Sequence, residues 1–120
     1  MKYLLITLLF VSRNAAAQQH MTRLAKLKID SAQLNSYKAF LKEEIETSLK
    51  VEKGVLTLYA VFEKKNPAKV TILEIYADTA AYKSHIATPH FLKYKNGTAD
   101  MVKSLELVEV DPLIPGFKVK

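Results

Sequence analysis

The sequence predicts an α+β domain of ferredoxin-like β-α-β-β-α-β order, a four-stranded antiparallel sheet with two helices on one face. Three observations point there. Four short segments alternate their side chains with a period of two, and one long stretch repeats apolar residues at three- and four-residue steps. A second helical stretch carries start signals at both Asp78 and Thr88-Pro89.

Residues 1–17 stand apart from this pattern. Lys2, the apolar run Tyr3 to Val11 and Ala15-Ala16-Ala17 have the layout of a secretory signal peptide. They predict a mature chain from Gln18 in the periplasm or outside the cell. That nine-residue run is too short to span a bilayer. Translation from Met21 is the alternative, and would leave the protein cytoplasmic. Residues 18–120 then form a single domain, with its core at about 22–115.

Arg23 to Ile29 alternates as a first strand, with Arg23, Ala25, Leu27 and Ile29 on one face and Leu24, Lys26 and Lys28 on the other. Asp30 or Ser31 can cap a helix directly after this strand. From Ala32 to Val51 the recurrence of Leu34, Tyr37, Leu41, Ile45 and Leu49, with Phe40 beside them, predicts an amphipathic helix of about five turns. Gly54 is its stop. Val55 to Glu63 is a second strand, apolar on both faces, and Lys64-Lys65-Asn66-Pro67 turns the chain into a third strand beginning at Lys69. There Val70, Ile72, Glu74 and Tyr76 share a face. Asp78 caps the helix from Ala80 to Ala87, and Thr88-Pro89 interrupts and restarts it. Asn96-Gly97 reads as a stop or kink. Lys103 to Val110 is the fourth strand, and Pro112 and Pro115 favour an extended tail.

Composition narrows the function. There is no Cys, which excludes disulfides, thiolate catalysis, Cys-ligated zinc and iron–sulfur clusters. The net charge of +6 comes from scattered lysines without a basic run interleaved with aromatics, a poor match to nucleic-acid binding. Both helices cover one sheet face, so the apolar second face of strands two and three needs a partner. A face-to-face homodimer closing a barrel from two sheets supplies it.

The arrangement Glu74-x-Tyr76-(x8)-His85-(x3)-Pro89-His90-Phe91 resembles the antibiotic biosynthesis monooxygenase (ABM) family over roughly Thr22 to Pro115. The resemblance implies a small dimeric α+β barrel that oxidises a quinol or similar aromatic substrate with dioxygen and uses no cofactor. Tyr76 stands where that family more often has Trp. Such chemistry asks little of a protein, because an electron-rich anion reduces dioxygen itself. The site must take a proton, hold the anion and exclude water.

Alternation places Glu74 and Tyr76 on one face, and His85 on the following helix can approach it. His85 is accordingly the expected base, Tyr76 the hydrogen-bond donor to the oxyanion, and Glu74 the group orienting His85. Tyr37, Phe40, Tyr59, Phe62, Tyr82, His90 and Phe91 are the expected substrate-pocket residues. A metal site is not expected, since His85 and His90 lie five apart across a helix break with no acidic cluster joining them. Haem degradation, known among related dimers, fits poorly: the first strand has no Asn, the strand-three aromatic is Tyr76, and the late helix reads Leu92-Lys93-Tyr94-Lys95. The remaining alternative is a non-catalytic exported dimer that binds a small hydrophobic ligand.

Overall fold

The computed structural model describes residues 20–116, so the expected signal segment and the end of the tail lie outside it. Four strands, β1 (Met21–Ile29), β2 (Val55–Phe62), β3 (Lys69–Tyr76) and β4 (Val102–Val110), form one antiparallel sheet in the order β2-β3-β1-β4. This is the ferredoxin-like topology. Helix α1 (Leu34–Val51) and the pair α2 (Thr79–His85) and α3 (Pro89–Thr98) lie on the same sheet face. No helix among the described residues is long and apolar enough to cross a membrane.

The register turns strand alternation into rows that cross the sheet. On the helix face, Ala60, Ile72, Ala25 and Leu107 form one row, and Leu58, Glu74, Arg23 and Glu109 form the next. On the open face, Tyr59, Leu73, Leu24 and Val108 align. A bulge between Val55 and Thr57 breaks the alternation of β2, which is why Leu56 emerges exposed.

The core gathers Ala25, Leu27, Ile29, Tyr37, Leu41, Val70 and Ile72 between sheet and α1. A smaller cluster of Val55, Leu58 and Tyr76 sits beneath α2. The buried stripe of α1 differs from the expected one. Tyr37, Leu41, Glu44 and Ser48 face inward, while Leu49 is 46% exposed.

Local start signals work as their chemistry dictates. Asp78 accepts from the Ala81 amide at 2.7 Å, and Thr88 caps α3, accepting from the Phe91 amide with Pro89 in the first turn. Gly97 does not stop α3. The helix runs through it, and a Cβ there would collide with the Phe40 ring. Glycine is present because α1 and α3 approach so closely. The tail departs from a simple extended path too, since Leu113 to Gly116 bends and turns.

Candidate functional site

Between the sheet and the helices lies a cavity of about 370 Å³. Ala25, Leu27 and Ile72 form its floor, Leu41 and Ile45 of α1 one wall, and Ile86, Phe91, Leu92 and Tyr94 the other. Leu105 and Leu107 of β4 line it while staying half-exposed, because neither helix reaches the β4 edge; the cavity opens there. Its lining is largely apolar, the character of a small-molecule pocket.

Polar groups concentrate on the wall nearest α2. The Tyr76 hydroxyl donates to Glu74 Oε1 at 2.6 Å. Directly opposite on β1, Arg23 Nε lies 3.8 Å from Glu74 Oε2, an electrostatic pairing too long for a hydrogen bond. Arg23 is 7% exposed, and its Nε has no hydrogen-bond partner among the described residues. Its guanidinium lies over the Tyr82 ring, 4.2 Å from the centroid. Burial pushes the Glu74 carboxyl above the usual carboxylate range, against the Tyr76 hydrogen bond and the Arg23 charge. Burial also drives the Tyr76 phenol far up, so it stays a protonated donor.

His85 is 2% exposed and packs its ring against Tyr76 and Phe91, at centroid distances of 5.4 and 5.1 Å. Both ring nitrogens meet carboxylates. Nδ1 is 2.9 Å from Glu52 Oε2, and Nε2 is 3.2 Å from Glu44 Oε1. Glu44 also accepts from the Ser48 hydroxyl at 2.8 Å. Burial alone would lower the His85 pKa, but its contacts with Glu44 and Glu52 more than offset it and hold the group above its ordinary value. A neutral imidazole would turn a lone pair on one of the two carboxylates; the cation satisfies both.

This environment bears on the roles expected of two residues. Neither nitrogen of His85 is free to take a substrate proton, so a base role does not fit it. Glu74 makes no hydrogen bond to His85: its Oε1 accepts from Tyr76, and its Oε2 faces Arg23 without a hydrogen bond. Glu44 and Glu52 of the α1 face hold the imidazole instead.

Of the expected pocket residues, Tyr82 and Phe91 line the cavity. Tyr59 is 62% exposed on the open sheet face, reversed by alternation. Phe40 packs on Gly97 outside the cavity. Phe62 sits at the core margin beneath Lys38. Tyr37 is fully buried behind Tyr94, sharing a hydrogen bond with its hydroxyl at 2.7 Å. His90 turns away from the cavity and meets Glu52 Oε2 at 2.7 Å. That contact corrects a second expectation: an acidic residue does join His85 and His90, because the break at Ile86–Thr88 redirects α3 toward the end of α1.

Sequence reading missed Arg23, Glu44, Glu52 and Tyr94. Signals existed for the first two. Arg23 shares the strand face of Ala25 and Leu27, and Glu44 lies three residues after Leu41 on the inward stripe.

A four-stranded sheet with an aromatic-walled cavity under a broken helix marks a class of small α+β pocket proteins. The family model described as antibiotic biosynthesis monooxygenase matches residues 20–97, and the chain belongs to that family. A Bacteroides thetaiotaomicron protein of solved structure, provisionally named an antibiotic biosynthesis monooxygenase, is 64% identical. The match has a TM-score of 0.84 and covers 85% of this chain and 97% of that one. A Lactobacillus acidophilus protein provisionally named a monooxygenase is 26% identical at TM-score 0.73, covering 78% of this chain and 51% of that one. A Nitrosomonas europaea structure at 16% identity and TM-score 0.74, covering 80% and 92%, shares the fold. No protein with a curated description matches.

Proposed function

We propose that the protein is a cofactor-independent monooxygenase that oxidises a small quinol- or phenol-type aromatic with dioxygen in the cavity between sheet and helices. The observation that carries this reading is the placement of Arg23, Glu74 and Tyr76 together on one wall of an otherwise apolar 370 Å³ pocket. That volume falls in the range of small-molecule sites, about 300–1,000 Å³. Family membership, and the names given to the structural relatives, support oxygenation as the chemistry.

Each polar group has a part in this scheme. Glu74, carrying a raised carboxyl pKa, takes the substrate's proton. Arg23, cationic and short of a hydrogen-bond acceptor, holds the resulting oxyanion. Tyr76 keeps Glu74 oriented through its hydroxyl. The anion passes one electron to dioxygen, and the two radicals couple at a ring carbon. The peroxide then loses water, leaving one oxygen atom on the product and the other in water. All the electrons come from the substrate, as in the balanced conversion of a quinol and O2 to a hydroxyquinone and H2O.

Dioxygen uptake with a panel of quinols and fused-ring phenols, in the presence of a chelator, tests the assignment. Turnover is expected in the native protein. Glu74→Gln should lower it about 10²–10⁴-fold, as loss of a general base does. Binding of these ligands without any uptake would replace the enzyme by a carrier.

A further inference from the structure

We propose that Glu52, His85 and His90 form a binding site for a divalent transition-metal ion of the zinc type, separate from the cavity chemistry. Three elements converge on it: Glu52 caps the C-terminus of α1, His85 ends α2, and His90 lies in the first turn of α3. Their donor atoms, His85 Nδ1, His90 Nε2 and a Glu52 oxygen, all lie within 4.8 Å of one another. Glu52 Oε2 already serves both imidazoles, at 2.9 and 2.7 Å. Zinc bonds of about 2.0–2.2 Å in tetrahedral array place neighbouring donors roughly 3.3 Å apart, so each N···O pair opens by about half an ångström while the two imidazole nitrogens close from within 4.8 Å.

The surroundings have the form of a metal centre and not merely of a hydrogen-bonded cluster. A metal-bound imidazole characteristically gives its other N–H to a carboxylate, which fixes its tautomer and ring plane. His85 has that partner. With Nδ1 on the ion, Nε2 faces Glu44 at 3.2 Å, and Glu44 is itself held by Ser48. The Glu52 and His90 side chains are 13% and 15% exposed, which gives an ion a path from solvent. Two imidazoles with one carboxylate favour zinc, cobalt, nickel or copper over magnesium and calcium, which take oxygen ligands.

The ion's place is set by the same geometry. Glu52 and His90 do not line the cavity, whereas His85 and Glu44 do. Metal on Nδ1 is therefore on the outer side of His85. It would staple the end of α1 to the α2–α3 break and, through the His85 ring, brace the cavity wall at Tyr76 and Phe91.

Untagged protein stripped with a chelator and titrated with Zn²⁺ by calorimetry should bind one ion per chain and melt at a higher temperature when loaded. Co²⁺ should give the visible absorption of a four-coordinate site. His90→Ala and Glu52→Gln, both at partly exposed positions, should each weaken Zn²⁺ binding at least 100-fold while keeping the native fold by circular dichroism. Glu44→Ala should weaken it about 10–100-fold, as loss of an outer partner does. His20→Ala should change nothing. Binding well below one ion per chain, affinity unchanged in His90→Ala and Glu52→Gln, or loss in His20→Ala would each overturn the site. None of these readouts depends on oxygenase turnover, so the metal site and the oxygenase reading can fail separately.

Discussion

Arg23 and Glu74 face each other across β1 and β3 with opposite charges and no hydrogen bond between them, and the proposed chemistry turns on that pair. Glu74 must be ionised to act as a base. Burial raises its pKa, so activity should fall, as pH drops, at a pH above the ordinary glutamate value of about 4.3. The Tyr76 hydrogen bond and the Arg23 charge both pull that pKa down. Tyr76→Phe and Arg23→Met should therefore each move the acid limb of the pH–rate profile further upward. A limb that stays put in both variants would remove Glu74 as the base. Only part of this was legible in sequence. Alternation set Glu74 and Tyr76 on one face, but Arg23 gains its meaning from the pairing of β3 with β1, which a single strand does not reveal. Glu44 sits on the apolar stripe of α1, yet a glutamate there reads as solvent-facing until His85 arrives from another element to satisfy it.

At the scale of elements, the break between α2 and α3 shapes the site. Thr88 and Pro89 announced it, because a hydroxyl cap and a proline at the first helical position are local signals. Its consequence, a turn that brings His90 beside Glu52, is tertiary and left no local trace. Gly97 shows the same limit, for the sequence marks it as a stop while the structure uses it as a contact. This yields a test with a definite sign. In an unhindered helix, Gly→Ala should stabilise by about 1 kcal/mol. At Gly97 the new methyl meets the Phe40 ring, and overpacking of that kind costs about 1–3 kcal/mol. Chemical denaturation should find Gly97→Ala destabilising in the native background and stabilising in Phe40→Ala. Stabilisation in both backgrounds would mean that α1 and α3 do not pack this closely.

For the whole molecule, the open matter is the sheet face turned away from the helices. Leu24, Leu73, Ile75, Val108 and Val110 lie on it, flanked by the exposed Tyr59 and Val61. Among the described residues no further helix covers this face, and the row Tyr59-Leu73-Leu24-Val108 is apolar across all four strands. We expect a homodimer with the two open faces packed together, the arrangement that also places the helices and the cavity mouths outside. Its central residue is Leu73, flanked by Tyr59 and Leu24 on the neighbouring strands. Burying a leucine side chain is worth roughly 1.5–3 kcal/mol, and a two-fold interface loses that contribution twice. Leu73→Lys would in addition set two like charges in an apolar interface, so it should weaken dimerisation by roughly 100-fold or more. Lys28→Ala, at the end of the same face opposite Lys69, should have little effect. Sedimentation equilibrium across the micromolar range decides the matter: a native protein that remains monomeric there would rule out the face-to-face barrel, and an intact dimer in Leu73→Lys would move the interface elsewhere.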